Sequence, residues 1–300
     1  MTVPCYTSFE TRFWDFFVKK MTQTAEQIQL PDYDNPPVVE TVLGVQFKPL
    51  AGFTNAHLGA FWQRIGSETW PKLWDLPLVP RQEELFTPEA EWRNAFRLQI
   101  SQVPSARLRI GNVDGNHLIQ IQNGRFHLNW LGEGGDKYPG FKHVREEFGK
   151  YLRQFIDFLL DSQLGSIEFD QWETTYLNTI PQNVWKTPAD WGFFRPLNGM
   201  PTIEGLIEAE SFSGEWHFVI PDKRGRLHIH WQHAKNTETE ETSHIQLNLT
   251  ARGPIPEGPD SFSSVMAGVE LGHHTIVNSF CSLMTDTANS EWKLKNVPTR

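Results

Sequence analysis

His228 and His230 stand two apart in a stretch, Arg226 to Gln232, that alternates apolar and polar residues. That period belongs to a half-buried strand, so both imidazoles project from one face while Leu227, Ile229 and Trp231 project from the other. His217 and His244 fall on predicted neighbouring strands and join the set if the register allows. Imidazoles converging at about 2.0–2.1 Å from an ion suit zinc or another borderline metal, which makes His228, His230 and His244 candidate ligands. No carboxylate is expected on that face to complete or orient them. The plain reading is a polar sheet face.

A second set is basic. Arg97, Arg107, Arg109 and Arg125 alternate with apolar residues and should share a polar side with Gln99, Gln120 and His127. Such side chains contact phosphates and base edges, so Arg97, Arg107, Arg109, Arg125 and His127 are candidate partner-binding residues for nucleic acid or an acidic protein surface. The plain alternative pairs the arginines with nearby acids, where exposed pairs stabilise little. His273-His274 is placed at an expected helix start, where a neutral imidazole could act as a base. Tyr176 and Asn178 share one face of a mid-chain strand, and a buried Tyr hydroxyl needs a partner. Phosphate-binding glycine loops, Cys-based zinc spacings, His-Glu-x-x-His and Gly-x-Ser-x-Gly are all absent from the sequence, so no residue is assigned as catalytic.

The elements that must position these groups follow from periodicity. Phe9, Phe13, Phe16, Phe17 and Met21 predict a short helix, and Met21 is a candidate alternative start. Val38 to Phe47 predicts a strand. A helix capped by Thr54 or Asn55 buries Leu58, Phe61, Trp62 and Ile65. A Pro-punctuated region follows, to about Glu91. Strands are predicted near 96–101, 107–110, 117–122 and 125–131, with Asp114-Gly115 and Asn123-Gly124 as hairpin turns needing φ > 0 at both positions. A helix from about Phe141 to Gln163 ends before Gly165. The second part predicts strands near 167–180, 203–212, 215–220, 226–232 and 244–251, a short helix near Trp191, and a final helix from about His273 to Met284.

Gly124 to Trp130 nearly repeats as Gly225 to Trp231, an offset of 101 positions (225 − 124). The expected fold is therefore α+β: a tandem β-α-β(3–4)-α pseudo-repeat of antiparallel curved sheets with helices packed on one side. That is a TATA-binding-protein-like element order. Residues 1–35 form an extension with a short helix, 36–165 the first half and 166–300 the second. Three hundred residues, 39% of them apolar and including 12 Trp and 21 Phe, describe a chain with ample core. No apolar run of membrane-spanning length occurs. Cys5 and Cys281 alone do not make a disulfide framework, which points to a reducing cytoplasm. The net charge of −9 disfavours wholesale wrapping of nucleic acid.

Asn35-Pro36-Pro37-Val38-Val39-Glu40 and Val42 to Phe47 carry a family resemblance. So do Asn129-Trp130, Tyr138-Pro139, Tyr176-Leu177-Asn178, His274 to Val277, Phe280, Thr285 and Trp292. Together they resemble a sporadically distributed bacterial family of uncharacterised proteins opening with a Pro-Pro-Val-x-Glu-x-Val strand motif. The resemblance spans roughly residues 30–295. It implies the fold and boundaries, and its patchy occurrence implies mobile, defence or toxin–antitoxin gene neighbourhoods. The function expected is a non-catalytic, cofactor-free binding or regulatory protein, antitoxin-like or phage-defence-associated. A protein is its expected partner, with nucleic acid as the alternative, no membrane, and a homodimer allowed. The competing reading is a His-dependent, metal-using hydrolase.

Overall fold

Ten residues dense in valine, leucine and threonine, Val38–Phe47, make β1, the central strand of a nine-stranded antiparallel sheet. The computed structural model describes residues 30–86, 106–132, 137–181, 191–195, 213–235, 243–256 and 261–296. The other strands are β2 (Lys72–Leu76), β3 (Arg107–Gly111), β4 (His117–Gln122), β5 (Arg125–Leu131), β6 (Phe169–Pro181), β7 (Ser213–Ile220), β8 (Gly225–Lys235) and β9 (Ser243–Pro254). They lie in the order β2-β3-β4-β5-β1-β6-β9-β8-β7. The described α-helices are α1 (Asn55–Ile65), α2 (Phe141–Asp161), α3 (Ser261–Leu283) and α4 (Asp286–Glu291). The expected N-terminal helix, the 96–101 strand with Arg97 and Gln99, and the 203–212 strand lie outside the described residues.

Reading outward from the β1–β6 pair, one side runs β5, β4, β3, β2 and the other β9, β8, β7. The strands that carry the 101-residue sequence repeat are β5 and β8, and they do not hold matching places. β5 borders β1, whereas β9 stands between β8 and β6. The hairpin expectation is corrected too. Gly115 (φ 83°) and Gly124 (φ 101°) are left-handed, but Asp114 and Asn123 are not. A single glycine therefore turns the chain at each site.

The helices pack on one face. Phe155 of α2 meets Phe47 and Phe126 at ring distances of 5.9 and 5.4 Å, and Phe61 of α1 closes on Phe155 at 5.2 Å. α3 lies on β6 unusually closely. A Cβ at Gly268 would stand 2.8 Å from Trp172 Cβ, and one at Gly272 would stand 2.7 Å from Thr174 Oγ1. The Thr174 hydroxyl donates 3.0 Å to the Val269 carbonyl in the same crossing. These glycines explain why α3 begins twelve residues before the expected start (273 − 261). Gly and Ser weaken intrinsic helix propensity there, and packing on β6 overrides it. His273 and His274 accordingly sit inside α3, not at its N-terminus. Residues 30–35 dock against the chain end: Asp34 and Asn35 N–H groups donate to Lys293 and Trp292 carbonyls, and Tyr33 Oη donates 2.8 Å to Asn289 Oδ1.

Candidate binding face

Because strand side chains alternate, the core set Leu43, Val45 and Phe47 commits Val42, Gly44 and Gln46 to the opposite face. Register then assembles rows across that helix-free face. One row reads Gln122, Arg125, Gln46, Gln171; the next reads Gln120, His127, Gly44, Glu173, Arg252, Arg226. A third carries Thr175, Thr250, His228 and His217.

Across the first row lies a segment of the chain itself, residues 77–86. Gln122 accepts from the Val79 N–H at 2.9 Å and donates to the Val79 carbonyl at 2.8 Å. Gln46 does the same for Gln82, at 3.0 and 2.6 Å. Gln171 accepts from the Glu84 N–H at 3.1 Å, and Arg125 donates to the Pro80 carbonyl at 3.1 Å. The run from Val79 to Glu84 thus passes from β4 over β5 and β1 to β6. That is three strand spacings of about 4.8 Å, which five residue steps of about 3.3 Å cover only if nearly extended. Side-chain amides stand in for the ladder partner that an extended backbone otherwise requires.

The segment ends in charge. Glu84 is buried, and its carboxylate takes Arg226 on one oxygen and His228 Nε2 at 2.7 Å on the other, with Arg252 at 3.9 Å. Burial alone would raise the Glu84 carboxyl. The His228 hydrogen bond and the charges of His228, Arg252 and Arg226 outweigh it and hold the group below its ordinary range. Arg252 also meets the buried Glu173 at 3.1 Å and hydrogen-bonds the Gln82 side chain. Unpaired, such buried charges would cost several kcal/mol each, so the network holds together only as a set. His127 lies over Gly44, where a Cβ would stand 2.7 Å from its Nε2. Burial pushes this imidazole down to about 4, Glu173 opposing that fall and Arg125 adding to it.

Of the basic candidates, Arg107, Arg109, Arg125 and His127 do share this face. Arg107 donates to Gln120 at 3.1 Å, and Arg109 lies 5.5 Å from the Trp74 ring centre. Among the described residues none of the three arginines pairs with a carboxylate. His228 and His230 also point to this face, opposite Leu227, Ile229 and Trp231. His244, however, pairs with Ala234, six residues along the strand from His228, a separation of about 20 Å. The three do not converge. The expectation of no carboxylate on that side is corrected by Glu84, Glu173 and Glu215, the last directly opposite His230. Glu215, His217 and His228 do come together, their ligand atoms all within 4.8 Å of one another.

A separate cavity of about 380 Å³ opens on the helix side between residues 30–38, the loop before α2, β6 and α3. It unites Tyr176 and His273, 2.7 Å apart, with Tyr138, 3.1 Å from the Tyr176 hydroxyl. His273 also stacks on Phe141 at 3.8 Å. Burial, then the nearby His274, pushes His273 down to about 3, and burial raises both tyrosines. The whole chain of groups is therefore neutral at physiological pH.

Comparison with protein-family models, with curated proteins and with solved structures finds no match to this chain. Among the described residues no helix is long and apolar enough to cross a membrane.

Proposed function

We propose that this chain is a non-catalytic binding protein that takes an extended segment of a protein partner across its helix-free sheet face, in the place residues 79–86 hold in cis. The observation that carries this is the pair of glutamines, Gln46 and Gln122, each bonded to both the N–H and the C=O of one residue. That is recognition of a peptide backbone. A phosphodiester offers no donor for either glutamine oxygen, so these clamps fit a peptide backbone and not a nucleic-acid backbone. Arg226, Arg252 and His228 around Glu84 specify an acidic residue at one position of the bound segment. The role is regulatory, cytoplasmic and of the antitoxin-like or phage-defence kind that the family resemblance implies. The tandem, TATA-binding-protein-like arrangement belongs to the same proposal. The strand order outward from β1–β6 supports it, with β5 matched to β9 instead of β8.

The test uses a labelled peptide copying residues 77–86 and a full-length Gln82→Pro/Glu84→Ala variant, whose own segment is weakened. Saturable peptide binding to that variant, lost when Gln46→Leu and Gln122→Leu are added, is the expected result. No binding would remove the proposal. Salt-sensitive binding of mixed oligonucleotides instead would move it to nucleic acid.

A second reading, a His-dependent hydrolase using a metal, rests on the Glu215–His217–His228 cluster and on the Glu84 carboxylate that orients His228. Ester or phosphodiester turnover lost in His217→Ala/His228→Ala would support it.

A further inference from the structure

Far from that face, on the helix side, β4 and α2 bring together His117, His143 and Glu147, whose ligand atoms all lie within 4.8 Å of one another. His143 and Glu147 are one helical turn apart on α2, hence on the same side of it. His117 opens β4 and is buried, His143 is exposed, and Glu147 lies between these extremes.

The tautomer of a neutral His117 is fixed by a chain of bonds that begins at the backbone. Asn112 Oδ1 accepts the N–H groups of Gly115 and His117 at 2.9 and 3.0 Å. Its amide nitrogen must then be the atom that donates 2.9 Å to Asn116 Oδ1. Asn116 Oδ1 therefore faces His117 Nδ1 as an acceptor, 2.8 Å away, and Nδ1 carries the hydrogen. In the neutral ring Nε2 is left with its lone pair, buried and making no well-aligned hydrogen bond. That lone pair stands 2.9 Å from Glu147 Oε2. Two acceptors this close repel unless a cation lies between them, either a metal ion or the second proton of an imidazolium. Two atoms bound to one ion at 2.0–2.1 Å stand about 3 Å apart, the spacing seen here. An outer carbonyl holding the far nitrogen of a metal-binding histidine is the usual way such a ring is oriented.

We propose that His117, His143 and Glu147 form a binding site for a divalent transition-metal ion of the zinc class, with a coordination position open to solvent. Two imidazoles and one carboxylate favour Zn²⁺, Co²⁺ or Ni²⁺ over the oxygen-seeking Mg²⁺ and Ca²⁺. His143 is exposed, and its ring centre stands 6.3 Å from that of His117. The site uses none of the residues of the sheet face, so its fate is independent of the proposal made for that face.

The experiment is titration of the chelator-stripped full-length protein with Zn²⁺ and with Co²⁺, against a chromophoric competitor. His217→Ala is the reference background, because it removes the Glu215–His217–His228 cluster. One equivalent bound in that background is expected, weakened about tenfold or more by His143→Ala, by Glu147→Gln and by the orienting change Asn116→Ala. The intense visible absorption of low-coordinate Co²⁺ should appear in the background protein and vanish in the variants. His143 is exposed and Glu147 half-exposed, so these variants retain the fold, checked by circular dichroism. No ion retained in the background protein, or affinity unchanged in His143→Ala and Glu147→Gln, would overturn the site. The pair would then be an imidazolium–carboxylate contact only.

Discussion

Gln46, on the central strand, makes both backbone hydrogen bonds of Gln82, thirty-six residues away, at 2.6 and 3.0 Å. A buried primary amide with geometry matched to a peptide group is doing here what a neighbouring strand does in a sheet. Replacing it by Leu keeps the volume and leaves the N–H and C=O of Gln82 unmet. Each unmet group costs about 1–3 kcal/mol. Gln46→Leu should therefore release residues 77–86 before the sheet unfolds, read as faster limited proteolysis after Arg81 with the urea midpoint of the core little changed.

Acid should loosen the same segment. Glu84 is held below the ordinary carboxylate range in the folded chain, so its stabilising contribution is complete above that range. It is lost as pH falls through the folded value. Amide exchange of residues 82–86 should rise in that window ahead of β1. Glu84→Gln should remove the pH dependence and cost about 2–3 kcal/mol at neutral pH, since Arg226 and His228 are each about a fifth exposed and partly hydrated.

His127 acts on the same acid side of neutrality, over a higher window. Its folded value of about 4 lies below the ordinary 6.5, so the unfolded chain takes up a proton that the folded chain refuses. Stability should fall as pH drops from about 6.5 to 4, by on the order of 3 kcal/mol from this residue. His273, pushed to about 3, adds a second proton to the same window. Urea midpoints across that range should show a shallower slope for His127→Gln than for the wild type.

Helix propensity and packing make opposed predictions at Gly268, and their sizes decide between them. Alanine in a helix interior gains up to about 1 kcal/mol over glycine. The added methyl would overlap the Trp172 side chain, 2.8 Å from its Cβ, on a backbone held by the Thr174–Val269 bond. Overpacking of that kind costs about 1–3 kcal/mol, so Gly268→Ala should lower thermal stability, and Gly272→Ala likewise.

What the sequence could reveal was set by how local each signal is. Val38–Phe47 was legible from its β-branched residues, and Phe141–Asp161 because apolar residues recur at a period of 3.6 through it. The sharing of one face by Arg107, Arg109, Arg125, His127, His228 and His230 was legible from alternation within each strand. Glu84 was not, since it lies in a Pro-punctuated stretch without period and reaches β8 through contacts 142 and 144 residues long. The repeat at Gly124 and Gly225 misled for a related reason. A Gly-Arg turn followed by alternation describes a hairpin strand wherever it sits in a sheet, and says nothing of which neighbour it finds. His143 and Glu147 did carry a signal, a spacing of four on one helix. It gained meaning only when β4 delivered His117 beside them.

The tether between β2 and the residues lying on the sheet face has one more consequence. Pro77 follows β2 directly, so the occupant of that face never diffuses away and its local supply is on the order of millimolar. A visitor of equal intrinsic affinity would hardly register at cellular abundance. Whatever displaces residues 79–86 must either grip the face far more tightly than they do or arrive after something else has pulled them off.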